Sequence, residues 1–185
     1  MTRQLAFDLP SIAAMRRADF FVAASNAVAL QTVDHWQDWP GRKLVLVGPE
    51  GSGKSHLARI WADQTGAMLL SAADLAGVDL APLSGAAVVV EDADRLAPAD
   101  EARLFHLHNL ATTGGALLLT AQTPPRDWGL RLPDLISRMQ AAPVARIEAP
   151  DDALLSAVLV KLFADRQLAV PAALIPYLVS RMPRS

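Results

Sequence analysis

Five short runs in this chain are apolar at most positions: Lys43 to Val47, Ala67 to Ser71, Ala86 to Val90, Ala116 to Thr120 and Val144 to Ile147. A half-exposed strand alternates apolar and polar residues. Runs that are apolar on both faces instead predict strands covered on both sides, as in a parallel sheet. Between them, apolar residues recur at helical spacing. One helix is predicted from a cap at Ser25 or Asn26 toward Trp39, where Pro40 and Gly41 end it. Others are predicted over Lys54 to Gln64, with Leu57, Ile60 and Trp61 inward, from about Ala99 to Ala111, and over Pro133 to Met139. Strands alternating with helices make the fold α/β, a doubly wound five-stranded parallel sheet flanked by helices. From Pro150 the strands stop. Asp151 or Asp152 caps a helix to about Arg166, and Pro171 begins another with Pro176 awkwardly inside it, which together read as a helical appendage.

The 185 residues suffice for one compact domain plus a small appendage, and 52% hydrophobic content is enough for a buried core. The 17 basic and 19 acidic residues give a formal net charge of -2. No strong field draws such a chain to nucleic acid or an anionic membrane, so any dealings with DNA are expected to be indirect. The absence of cysteine removes disulfides, thiolate chemistry and Cys-based zinc sites, and agrees with a reducing cytoplasmic location. The four histidines form no ligand pattern, and His106 and His108 are two apart on a helix, facing different ways. The longest apolar runs fall far short of the roughly 18 residues a membrane span needs. The start, MTRQLAFDLP, carries no export signal.

The strongest chemical signal is Gly48-Pro49-Glu50-Gly51-Ser52-Gly53-Lys54-Ser55, a complete GxxxxGK[ST] loop between a predicted strand and a predicted helix. Its glycines let backbone N–H groups turn toward phosphate oxygens, the helix dipole adds to them, Lys54 reaches the β and γ phosphates, and Ser55 ligates Mg²⁺. The same chemistry needs a carboxylate at a neighbouring strand end, which Glu91 and Asp92 supply after Val88 to Val90. Glu91 stands where an Asp is usual, so Asp92 is the better candidate to orient water. The strand ending Thr120-Ala121-Gln122 offers Gln122 or Thr120 beside the γ phosphate, and Arg138 lies near the end of the Pro133 helix. Trp36, Trp39 and Trp61 occupy apolar helical positions and read as core.

These elements, in this order, resemble an AAA+ ATPase. Phe21-Val22-Ala23-Ala24-Ser25-Asn26-Ala27 resembles the FxVGxSNxxA segment beside the adenine pocket of the bacterial initiator DnaA, and the resemblance implies that Phe21 and Val22, together with His56 and Gln122, are among the nucleotide-binding residues. TPPRDW and LPDLISRM resemble the sensor 1 and arginine-finger boxes of that family, and the likeness runs from about Asp19 to Arg181. With no helix-turn-helix or helicase-recruiting domain expected, the chain looks like the Hda-like, DnaA-related regulators. Residues Gln4-Leu5-Ala6-Phe7-Asp8-Leu9-Pro10 are similar to their QL(S/P)LxLP sliding-clamp motif, with Gln4, Leu5, Phe7 and Leu9 as contacts. The resemblance implies a clamp-binding tail at 1–10, an AAA+ domain at 11–149 and a partial helical lid at 150–185 that ends near a sensor 2 arginine, Arg184. It implies ADP or ATP with Mg²⁺ as cofactor, the DNA polymerase III sliding clamp and DnaA as partners, Arg138 offered in trans, weak intrinsic ATPase activity, and regulatory inactivation of replication initiation. It also admits a homo-oligomer. The rival is a self-sufficient AAA+ ATPase or helicase loader.

Overall fold

The computed structural model describes residues 20–171 and 173–181. The tail residues Gln4, Leu5, Phe7 and Leu9, and Arg184, lie outside the described residues. All five expected strands are present: β1 (Lys43–Val47), β2 (Met68–Ser71), β3 (Ala87–Glu91), β4 (Ala116–Ala121) and β5 (Val144–Arg146). They pair in parallel in the order β2-β3-β4-β1-β5. The patterning accounts for that order. β1 and β4 are buried along their whole length and sit inside, whereas β2 and β5 expose Met68, Leu69 and Val144 and form the edges.

Side chains alternate between two cores. Leu44, Leu46 and Leu118 pack with α1 (Ala27–Asp34) and α2 (Lys54–Thr65) on one face. Val45, Val47, Leu117 and Leu119 pack with α3 (Glu101–Thr112) and α4 (Pro133–Gln140) on the other. Trp61 is fully buried and stacks on Trp39 at 5.3 Å, with Trp36 edge-on at 6.1 Å.

Two expectations need correction. The first helix does not run to Trp39. It ends at Asp34, followed by a 3-10 turn at Trp36–Asp38, because Trp39 bends back to donate Nε1–H to the Thr32 carbonyl (2.8 Å) and to stack on Trp61. The last helix starts later than Pro171. After α5 (Asp152–Asp165), capped by Asp151 whose Oδ1 accepts from the Leu154 N–H at 2.7 Å, α6 spans Leu174–Val179. Pro176 is therefore third in its helix, where a backbone N–H has no intrahelical partner, and the awkwardness disappears. α5 and α6 pack against each other beyond the sheet.

Candidate functional site

β1 delivers the chain into the loop from Gly48 to Gly53, and two glycines make its path feasible. The Gly48 N–H donates to the Ala121 carbonyl (3.2 Å), and a Cβ at Gly48 would meet the Ile147 carbonyl oxygen at 2.4 Å, so no side chain fits. Gly53 has φ 99°, a left-handed geometry that favours glycine, and α2 starts at the next residue. The loop therefore ends at the positive pole of a twelve-residue helix that no side chain caps. Lys54 is 7% exposed, and its ammonium donates to the carbonyls of Gly48 (2.7 Å) and Pro49 (2.8 Å), drawing the loop around itself. Burial lowers its pKa below the ordinary value. Asp92, Asp94 and Glu50 oppose that shift, and the like charge of Arg95 adds to it.

A cavity of about 350 Å³ opens over this loop, lined by Glu50, Gly51, Gly53, Lys54, Ser55 and His56, and across from them by Asp92, Arg95 and Gln122. The sheet order explains the second group: β4 lies between β1 and β3, so the exits of β3 and β4 both border the loop. Thr120 and Gln122 are distinguished here. Thr120 is buried with its hydroxyl accepting from the Asp92 N–H (3.1 Å), a tie between strand ends, whereas Gln122 faces the cavity. Asp92 also faces it, from a left-handed backbone (φ 55°). Glu91 does not line it. Its side chain is half-buried, and Oε1 is buried with no hydrogen-bond partner among the described residues.

A second cavity, about 340 Å³ and mainly apolar, adjoins the first and shares Gly51, Gly53 and His56 with it. Phe20, Phe21 and Asn26 form one wall, and Leu154, Leu155 and Val158 of α5 form another. Asn26 occupies the N-cap of α1 without capping it. Its Nδ2 donates to the Phe21 carbonyl and its Oδ1 accepts from the Ala23 N–H, both at 2.9 Å, which fixes the Phe21 to Ala23 segment beside the cavity. Val22, expected beside Phe21, is 59% exposed and does not line this cavity. Phe20, Arg95 and the α5 residues were not singled out in the sequence. Phe20 adjoins a motif residue, and its edge-on contact with His56 (5.3 Å) is the kind of pairing that sequence does not reveal.

Arg138 lies elsewhere. It is exposed in the last turn of α4, where Leu135 and Met139 are the buried residues of the helix. Its charge acts on Lys43, at the start of β1, and on His108 of α3. The phosphate loop follows the other end of that strand, roughly 13 Å away at about 3.3 Å per residue. α4 runs into the start of β5, which is parallel to β1, so Arg138 in its last turn is at the opposite end of the sheet from its own loop. The segment entering α4 is held by buried Glu101, whose carboxylate accepts from the N–H groups of Arg131 (2.9 and 3.0 Å) and Leu132 (2.6 Å).

Lys43 Nζ meets His108 Nε2 at 3.1 Å, and His108 Nδ1 meets Asn109 Oδ1 at 3.2 Å. An ammonium only donates, so Nε2 accepts and Nδ1–H donates to Asn109. Burial, chiefly, holds the His108 pKa below 6.5, with Lys43 and Arg138 acting the same way and Asn109 against it. The folded chain therefore binds fewer protons here than the unfolded chain below pH 6.5. This contribution to stability is complete above that value and is lost as pH falls through the lowered one. His108→Gln is expected to flatten the fall in melting temperature between pH 7.5 and 5.5; an unchanged slope would remove His108 as its source.

A phosphate loop between the first strand and helix of an all-parallel sheet, with acidic and polar strand exits beside it, defines a P-loop α/β domain. No family model and no curated protein matches the sequence. Solved structures do resemble it. A crystal structure of a DNA replication initiation factor superposes with a TM-score of 0.77 at 18% identity, covering 89% of this chain and 59% of that one. Domain III of the Thermotoga maritima replication initiation protein DnaA gives 0.76 at 18% identity, covering 90% and 80%. AMPPCP-bound DnaA from Aquifex aeolicus gives 0.71 at 18% identity, covering 90% and 60%. The fold is therefore that of DnaA domain III, and the chain spans a little over half of the first of these structures. Among the described residues no helix is long and apolar enough to cross a membrane, and no group of three or more His, Asp or Glu side chains is placed to hold a metal.

Proposed function

We propose that this chain is an adenine-nucleotide-binding, DnaA-related regulator of chromosomal replication initiation, tethered to the sliding clamp and stimulating ATP hydrolysis by DnaA. One observation carries the reading: a complete phosphate cradle stands at one end of the sheet and an exposed arginine at the other, where it cannot serve the same nucleotide. Phosphates fit the cavity of Lys54 and the α2 N-terminus, and a base fits the adjoining apolar cavity of Phe20, Phe21 and α5. Mg²⁺ also fits. The Ser55 hydroxyl and the Asp92 carboxylate are hard oxygen donors on one cavity, whereas Glu91, which does not line it, is not among the residues that would hold the ion. When bound, the metal would neutralise charge developing on the phosphates.

Within this chain, Lys54 and the loop bind the phosphates, Asp92 and Gln122 orient groups at the terminal phosphate, and α5 excludes water from the base. Arg138 then acts on a nucleotide held by DnaA, stabilising charge on the transferring phosphoryl group. The placement of Glu91 outside the cavity goes with slow intrinsic hydrolysis rather than with a self-sufficient motor.

The tail from Gln4 to Pro10 supplies the tether in this reading, with Leu5, Phe7 and Leu9 entering an apolar groove on the clamp. A clamp pull-down of the full chain against a variant lacking residues 1–10 tests it. Retention is expected only with the tail present, while ADP affinity is the same for both. Equal retention would leave the clamp out of the account. Steady-state hydrolysis measured alone, and with clamp and DnaA, separates the two readings: turnover above roughly one per second without partners would favour the self-sufficient ATPase.

A further inference from the structure

Two cations line the phosphate-side cavity, and only Lys54 comes from the phosphate loop; the other is Arg95, at the end of the 3-10 turn Ala93–Arg95 that follows β3. The turn is firmly held. Asp92 turns the chain through its left-handed backbone while its N–H donates to Thr120 Oγ1 (3.1 Å), and the Arg95 N–H closes the turn onto the Asp92 carbonyl (2.8 Å). Asp94 Oδ2 accepts from the Gln122 N–H (2.9 Å), and Ala93 is buried. Adjacent side chains consequently diverge. Asp94 is spent on tying β3 to β4, and Arg95 is delivered to the cavity.

Its guanidinium lies near enough to Lys54 for their like charges to interact. Glu50 and Asp92 line the same cavity and offset part of this charge, and Arg95 adds a second cation that faces the loop across it. Lys54 and the loop N–H groups already serve the phosphates nearest the loop. Arg95 approaches from the opposite wall, with Asp92 and Gln122, on the side toward which a further phosphate would extend away from the loop. A planar guanidinium matches two oxygens of one phosphate, which a point charge does not.

We infer that Arg95 is a terminal-phosphate ligand acting in cis, through which this chain distinguishes a nucleoside triphosphate from a diphosphate. The inference rests on the nucleotide reading of the site. It gives the chain two arginines with separate tasks: Arg95 reads its own nucleotide, and Arg138 is offered to another.

The test is calorimetric titration of the full chain and its Arg95→Ala and Arg95→Lys variants with ADP and with AMPPCP, each variant first checked by its melting curve. Arg95→Ala is expected to weaken AMPPCP binding at least tenfold and ADP binding less than twofold. Arg95→Lys should recover part of the difference, because it restores charge without the fork. An equal change for both ligands, or none for either, would overturn the role of Arg95 while leaving the nucleotide site standing. A folded wild type that binds neither ligand would overturn both.

Discussion

Arg138→Ala is expected to lower stimulation of DnaA's ATP hydrolysis by about a thousandfold or more, while leaving this chain's own ADP affinity within twofold. The magnitude follows from what an arginine finger supplies when it meets a transferring phosphoryl group in another protein's site. The selectivity follows from position: Arg138 is exposed on α4 near Lys43, at the far end of β1 from Gly48. No lysine substitution should replace it fully, since an ammonium lacks the bidentate fork. Hydrolysis by DnaA in the presence of clamp and either variant gives the answer. Equal stimulation by Arg138→Ala and wild type would remove this residue from the mechanism.

Lys54→Ala is expected to weaken binding of both ADP and ATP by at least tenfold. Two losses combine. The cation that faces the phosphates disappears, and so do the two hydrogen bonds by which its ammonium holds the Gly48 and Pro49 carbonyls in place. Stabilisation by ligand depends on its concentration relative to Kd, so the rise in melting temperature that saturating ADP gives the wild type should largely vanish in the variant. An identical thermal shift in both would show that Lys54 does not hold the phosphates. This pattern differs from that expected of Arg95→Ala, which spares ADP.

How much of this was legible in the sequence depended on how local the signal was. β1 and β4 were legible because a strand covered on both faces needs apolar residues throughout, and the phosphate loop was legible because it is one contiguous motif in which Gly53 answers a local demand, a left-handed φ. The early end of α1 was not, because Trp39 folds back for a stacking partner, Trp61, more than twenty residues away. Nor was the choice between Thr120 and Gln122. Asp92 and Asp94, just after β3, decide it, and a single strand does not show what faces it. Arg95 resembles any exposed arginine until β4 is placed beside it. Leu154 and Val158 resemble core residues of a helix, and only the fold sets them against Phe21 to form an apolar cavity.

The central claim is that the cavity above Lys54 holds an adenine nucleotide. Titration of the full, folded chain with ADP in the presence of Mg²⁺ measures this directly. The account predicts saturable binding at micromolar concentration or tighter, one nucleotide per chain; no heat and no thermal shift from a folded sample would contradict it.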